Sequence, residues 1–344
     1  MSAIMKKALL ELIEIPGPSG FERRIGHKMV SEFKEYVDKV WIDEMGNVIG
    51  LKKGNDIGNE IMMMAHMDEV SMVVRRIDEF VWFENVGWID RRVLPGTPIT
   101  ILTQEKDVEG IICSPSAHFS QEKKSTKYWI DAGRQQEYIS VGDPIVFSSN
   151  ARWLDEEQCI LASKAIDDRV GCAVLLDIAR NLKEVKNNTY FVGSVQEEVG
   201  GFGAKYVASK ISPKYLIAID TTLARDPNFK NEAVGLSEAV VIRKFQITQP
   251  QKTLYPANVF FSSQRLDQAL IESAKELGIP VSLDICRGTF TDTSAIAQIN
   301  PEIHCSTLLI PRRYSHSPCE VVDMVNLERC SRIIIGALSK LERT

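Results

Sequence analysis

The sequence has no C-x-x-C pair, no apolar run near the ~18 residues a membrane helix needs, and no excess of basic residues. Each absence excludes a class of protein. The seven cysteines are odd in number and unpaired in spacing, so no disulfide framework is indicated. Cys172 and Cys305 lie inside apolar runs and read as small core residues. A reducing cytoplasm is the expected compartment. A net charge of −5 offers no electrostatic footprint for nucleic acid or an anionic membrane, and neither is an expected partner. The opening stretch "MSAIMKKALLELIEIPGPSG" carries Glu11 and Glu14 among its apolar residues, so it reads as an amphipathic helix rather than a signal peptide.

What is present fits a globular protein, with 44% hydrophobic and 25% charged residues. At 344 residues the chain exceeds the size at which one core keeps growing, and two domains are expected. Residues 3–13 have helical spacing, which "PGPSG" interrupts. Ser19 and Glu22 have the spacing of a capping box for a second helix over 20–36. "VDKVWIDEMGNVIGLKKG" reads as a hairpin around Gly-Asn. "IMMMA" (61–65) is short and apolar at every position, as in a strand buried between helix layers.

After residue 70 the pattern changes to short alternating runs broken by Gly, Pro, Asp and Asn, the signature of a small β-barrel or sandwich. Within it, polar "SQEKKST" (120–126) reads as a mobile loop. From about 163, strands alternate with helices again, which implies a mostly parallel sheet covered on both faces. The expected fold is therefore α/β, with 1–69 and 163–344 forming one discontinuous domain and 70–162 an inserted β-barrel-like domain.

In an open α/β sheet, functional residues gather at the carboxyl ends of the strands. His66 and Asp68 follow "IMMMA", Glu197 and Glu198 follow "TYFVGSV", Asp220 ends "YLIAID", and His316 follows "STLLIPRRY". Asp167 and Asp168 open a helix. Read singly, each has an ordinary alternative: a solvated strand end, an acidic helix start, an N-cap or a surface histidine. Together they bring two histidines and several carboxylates to one edge. That donor set suits Zn²⁺ or Co²⁺ and needs no thiolate. Residues i and i+2 of a strand share a side, so Asp68 can face His66 and fix its tautomer. Adjacent Glu197 and Glu198 diverge, so one can bind metal while the other accepts a proton from water. Spacing alone does not say which.

"AHMDEV", "KAIDDRVG", "SVQEEVG", "AIDTT" and "RYSHSPCEVV" resemble, in order and spacing, the motifs of the M42 family of dinuclear metallo-aminopeptidases, the tetrahedral, deblocking or glutamyl aminopeptidases. The resemblance spans nearly the whole chain. It implies that His66 and Asp220 bind one divalent metal, that Glu198 and His316 bind a second, and that Asp167 bridges them. It also implies Glu197 as general base, Asp68 as the group orienting His66, peptide substrates, and a homo-oligomer, commonly a dodecamer, built through the inserted domain. "HMDEVS", "GGFGA" and "RGTFTDTSAI" depart from the usual family pattern near the substrate pocket. Thr291 and Asp292 are candidate substrate contacts there, and His118 could reach a neighbouring site in an oligomer. Rival readings are a related metal-dependent deacylase or carboxypeptidase, a glucanase-like glycosidase, and a scaffold that has lost catalysis. The place of the insertion, between His66 and Asp167, favours the aminopeptidase. Adjacent carboxylates that diverge cannot flank one glycosidic bond as a retaining enzyme requires.

Overall fold

The computed structural model describes residues 2–115, 127–148, 151–157, 159–227, 234–248 and 258–341. His118 and the 120–126 loop lie outside these. Two bodies of strands are formed. In chain order the strands are β1 (Lys39–Ile42), β2 (Val48–Lys52), β3 (Asp56–His66), β4 (Ser71–Ile77), β5 (Val81–Val86), β6 (Pro98–Leu102), β7 (Asp107–Cys113), β8 (Trp129–Asp131) and β9 (Pro144–Phe147). They continue with β10 (Arg152–Asp155), β11 (Ile160–Ser163), β12 (Asn187–Ser194), β13 (Tyr215–Leu223), β14 (Val240–Thr248), β15 (Asn258–Phe261), β16 (Val281–Arg287), β17 (His304–Arg313) and β18 (Glu320–Asp323). The helices are α1 (Ala3–Glu14), α2 (Arg23–Phe33), α3 (Ile166–Asn181), α4 (Phe202–Lys210), α5 (Gln264–Leu277), α6 (Asp292–Ile299) and α7 (Val325–Leu341).

Twelve strands make one large sheet, and β4 to β9 close into a barrel in the order β4-β5-β8-β7-β6-β9. Parallel pairing holds at the centre, β12-β3-β13-β17, and in β14-β16. The flanks are antiparallel, so the sheet is mixed. A tight turn accounts for the β1–β2 pair, because two strands so joined can only run antiparallel. At the β1–β2 turn the Asp43 carboxylate accepts the backbone N–H groups of Met45, Gly46 and Asn47. Strands β10 and β11 follow the barrel in the chain but pair with β18 in the large sheet.

The apolar run in β3 is buried on both faces. Ile61, Met63 and Ala65 pack with residues of α1, α3 and α7, while Met62 and Met64 pack with residues of α4 and α6. Such a strand has no freedom to slip, because a one-residue shift would exchange its two faces. The barrel has its own core, including Met72, Val74, Ile99, Ile101, Val108, Ile145 and Phe147.

The spacing of Ser19 and Glu22 suggests a capping box, and the structure corrects it. The Ser19 hydroxyl donates to Asp68 Oδ2 at 2.6 Å, and Glu22 Oε1 accepts the N–H groups of Gly20 and Gln196. Both side chains face the strand ends instead of closing their own helix, which runs only from Arg23 to Phe33.

Glu69 is buried at the point where the chain leaves β3 for the barrel. Its carboxylate accepts from Lys164 at 2.7 and 2.8 Å, from the Gly17 N–H at 3.0 Å, and from Arg169 Nη2 at 3.4 Å. Gly17 must be glycine here, since a Cβ would stand 2.6 Å from Arg169 Nη2 and 2.8 Å from Ile25. Removing one member of a buried ion-pair network strands the others. Glu69→Ala is therefore expected to lower unfolding free energy by about 3–5 kcal/mol. Arg24→Ala breaks the half-exposed Arg24–Asp107 pair between α2 and β7 and should cost about 0–1 kcal/mol. Denaturant titration of the two variants checks this, and equal losses would refute the role given to Glu69.

Candidate active site

The parallel strands β12, β3, β13 and β17 deliver their carboxyl ends to one edge, and Ser194 of β12 lies level with His66 of β3. Asp167 comes to this edge from the start of α3, and His316 from the segment between β17 and β18. Asp167 and Asp168 have non-helical backbone angles within the first turn of α3. This separates their roles. Asp168 Oδ1 caps the helix by accepting the Gly171 N–H at 3.0 Å, and Asp167 turns towards the histidines. Among the described residues, four of the five non-glycine residues with positive φ are Ala165, Gln196, Tyr314 and His316, each within two residues of a candidate ligand or being one. Backbone strain of this kind persists only where surrounding structure enforces it.

Asp167 is the centre of the arrangement. Its Oδ1 lies 3.3 Å from His66 Nε2, and its Oδ2 lies 3.3 Å from His316 Nε2. His316 Nε2 is also 3.4 Å from Glu198 Oε1. Glu197 Oε2 stands 4.0 Å from His66 Nε2. The outer nitrogens are held from behind. His66 Nδ1 lies 3.1 Å from the Asp68 carbonyl and 3.4 Å from Asp68 Oδ1, and His316 Nδ1 lies 2.7 Å from the carbonyl of Trp88. These contacts place a proton on each Nδ1 and turn each Nε2 towards the carboxylates, where it can hold a second proton or, deprotonated, a metal ion. Asp68 is itself fixed by Ser19 and by the N–H groups of Glu197 and Glu198.

The residues present fit metal ions. Asp167 Oδ1, Asp168 Oδ2, Glu198 Oε1 and Asp292 Oδ1 are buried acceptors with no hydrogen-bond partner. Donor atoms of His66, Asp167 and Glu198 lie within 4.8 Å of one another, as do those of Asp167, Asp168 and Asp220. Buried charges left like this are costly unless a cation or protons compensate them. Protonation is how the metal-free site compensates. Burial pushes the carboxyls of Glu198 and Asp220 up to about 7 and that of Asp292 up to about 6. Glu197 lies well above the usual range through burial, with Asp220 and Glu198 adding repulsion. His316 rises to about 9, because Glu198 and Asp167 overcome its burial. Asp167 is held well below the usual range, since Arg312 and the two imidazoles outweigh its burial.

All seven candidates from His66 to His316 thus meet at one edge. Of the proposed substrate contacts, Asp292 joins them. Its Oδ2 accepts from the Ser194 hydroxyl, and its other oxygen is open. The Thr291 hydroxyl is occupied by Gln246 and Thr293, and the Thr291 N–H donates to Ser294 within the first turn of α6. Sequence reasoning missed Arg312, Glu320 and Trp88. Arg312 donates through Nη2 to Asp167 Oδ2 and through Nε to Thr221 Oγ1. Glu320 accepts the N–H groups of Asp167 at 3.1 Å and His316 at 2.7 Å. "RRY" at a strand end and the acid four residues after His316 were the only signals, and neither has a distinctive spacing.

A sheet edge with two imidazoles on one buried carboxylate and unpartnered acids beside them is suited to hold a metal ion. The comparisons make the assignment specific: the M42 glutamyl aminopeptidase family matches residues 46–333, and the chain belongs to it. Lysyl aminopeptidase of Pyrococcus furiosus is 30% identical over 98% of this chain and 97% of its own length. An aminopeptidase from the archaeon Desulfurococcus kamchatkensis superposes with a TM-score of 0.89 at 31% identity, covering 97% of this chain and 94% of that one. The Pyrococcus horikoshii TET1 peptidase, described as able to assemble into a tetrahedron or a large octahedral shell, superposes with a TM-score of 0.83 at 28% identity, covering 96% and 98%. The chain is therefore a hydrolase of the aminopeptidase class, in a family that is metal-dependent. Among the described residues no helix is long and apolar enough to cross a membrane.

The site predicts how the metal-free protein responds to pH. Glu198 and Asp220 titrate higher folded than unfolded, and so does His316. From about pH 5 to 9 the folded chain then binds more protons than the unfolded chain, and stability falls as pH rises. The opposing contribution of Asp167 is lost only below that window. The thermal midpoint of chelator-treated protein should rise from pH 8 to pH 6, and added Zn²⁺ should raise it most at pH 8. A midpoint that falls on acidification across this range would contradict the charge pattern.

Proposed function

We propose that this chain is a dinuclear metallo-aminopeptidase that removes the first residue of peptides. The observation that supports it best is the single buried carboxylate of Asp167 with an imidazole at 3.3 Å from each oxygen. In this reading His66, Asp167 and Asp220 hold one divalent ion, and His316, Glu198 and Asp167 hold the other. Zinc or cobalt suits this set of nitrogen and carboxylate donors. When bound, the ions supply Lewis acidity, polarising the scissile carbonyl and lowering the pKa of water.

The chain's own residues do the rest. Glu197 donates its N–H to Asp68, and its carboxylate faces the His66 side of the site, with Oε2 4.0 Å from His66 Nε2. As a carboxylate it takes the proton of the attacking water, and as an acid it returns that proton to the departing amine. Its burial among acids favours carrying the proton between the two steps. Asp68 keeps His66 in one tautomer and, through its bonds to two successive N–H groups, holds Glu197 and Glu198 in place. Asp292 offers an open, buried carboxylate oxygen beside them, suited to the free α-ammonium that distinguishes a peptide's first residue. In the same reading the inserted domain, expected over 70–162 and carried by the β4 to β9 barrel while β10 and β11 join the large sheet, serves oligomerisation and access, and the working form is a homo-oligomer. The tetrahedral assembly described for the archaeal neighbour supports this. A cytoplasmic location fits seven free cysteines.

Glu197→Gln should lower kcat on aminoacyl chromogenic substrates by about 10²–10⁴-fold while the protein still takes up metal. Turnover that survived both chelation and this substitution would refute the mechanism.

A further inference from the structure

Among the described residues, Arg312 is the one Lys or Arg in contact with Asp167. Its guanidinium is 5% exposed and lies between two acids, with Nη2 on Asp167 Oδ2 and Nε 3.6 Å from Glu320. Its Nη1 is buried without a partner. The contact is one-sided. Asp167 Oδ1, on the His66 side, is left open, whereas Oδ2, on the His316 and Glu198 side, already carries a positive group. Lys164 and Arg169, the other buried cations nearby, are tied to Glu69.

We infer that Arg312 is a built-in cation that makes the two halves of the site unequal. A divalent ion entering between His316, Glu198 and Asp167 Oδ2 meets a guanidinium on the same oxygen and must share or displace it. An ion entering between His66 and Asp167 Oδ1 meets no such competitor. The His316 half is accordingly the weaker and more exchangeable one, and the first ion loads at the His66 half. This inference rests on the dinuclear reading and adds an order of filling to it. Arg312 acts through Asp167 and is a positioning and tuning residue rather than a catalytic one.

Glu320 keeps the N–H groups of Asp167 and His316, so Arg312→Gln leaves it satisfied. The geometry also provides a local reporter. The Trp88 ring lies 6.2 Å from the His316 ring, so Co²⁺ in that half quenches Trp88 fluorescence, and Trp88→Phe identifies the quenched signal.

The experiment is Co²⁺ titration of the metal-free full-length protein against a competing chelator, followed by cobalt absorption and tryptophan quenching. The wild type should show a tight site that quenches Trp88 weakly and a weak site that quenches it more strongly. Arg312→Gln should tighten the quenching site by about tenfold or more and leave the other within about threefold. Arg312→Lys, which keeps the charge, should retain the weak site. An unchanged or weakened quenching site in Arg312→Gln would overturn the inference and make Arg312 a simple support for Asp167. A wild type that bound no cobalt would sink the dinuclear reading. Gain of a quenching site in Arg312→Gln would then still uphold the competition, and its absence would end both.

Discussion

Everything at the active edge depends on one carboxylate facing two imidazoles. Asp167 can face His66 and His316 at once only because the backbone departs from helical geometry at the start of α3. Asp168 then takes over the helix cap. Around that pair the structure gathers acids that would repel one another in any other setting. Three devices contain the repulsion. Backbone N–H groups bind Asp68 and Glu320, a guanidinium binds Asp167, and protons are held by carboxyls whose burial favours the neutral form. The site is in this sense prepared for positive charge before any arrives.

Support for this edge comes from charges that never enter it. Glu69 follows Asp68 by one residue and points away from it into a pocket formed by Lys164, Arg169 and the Gly17 N–H. Alternation along an extended chain therefore sends one acid to orient a histidine and the next to join α3 and the loop before α2 to the end of β3. A buried network of this kind adds little net stability compared with apolar packing, but it fixes one geometry. The edge needs that, since a displacement of an ångström there would separate side chains that now stand 3.3 Å apart.

Much of this was legible in the sequence because it follows from periodicity. "IMMMA" read as a strand covered on both faces, and the i, i+2 relation placed His66 and Asp68 together. The change of rhythm after residue 70 announced the barrel. The motifs from "AHMDEV" to "RYSHSPCEVV" identified the family. What escaped had no period to betray it. Ser19 and Glu22 have capping spacing, yet they turn to Asp68 and Gln196, because a long-range acceptor outcompeted the local one. Strands β10 and β11 alternate like barrel strands but complete the large sheet, and alternation does not reveal which sheet a strand joins. Arg312 and Lys164 look like surface cations in a sequence, and only tertiary structure shows that they are buried.

The hydrogen bond from His316 to the carbonyl of Trp88 joins the most distant parts of the story. Trp88 belongs to the barrel segment, and His316 lies 228 residues later. Neither body therefore carries a finished site. The chain must leave the sheet at β3, close a barrel, return at β10, and build β12, β13 and β17 before the last histidine meets its acceptor. Such a contact order makes assembly slow and places the completion of the reactive edge at its end. During synthesis a nascent chain is thus spared a completed edge until the segment that carries His316 has been made and has folded back onto the barrel segment.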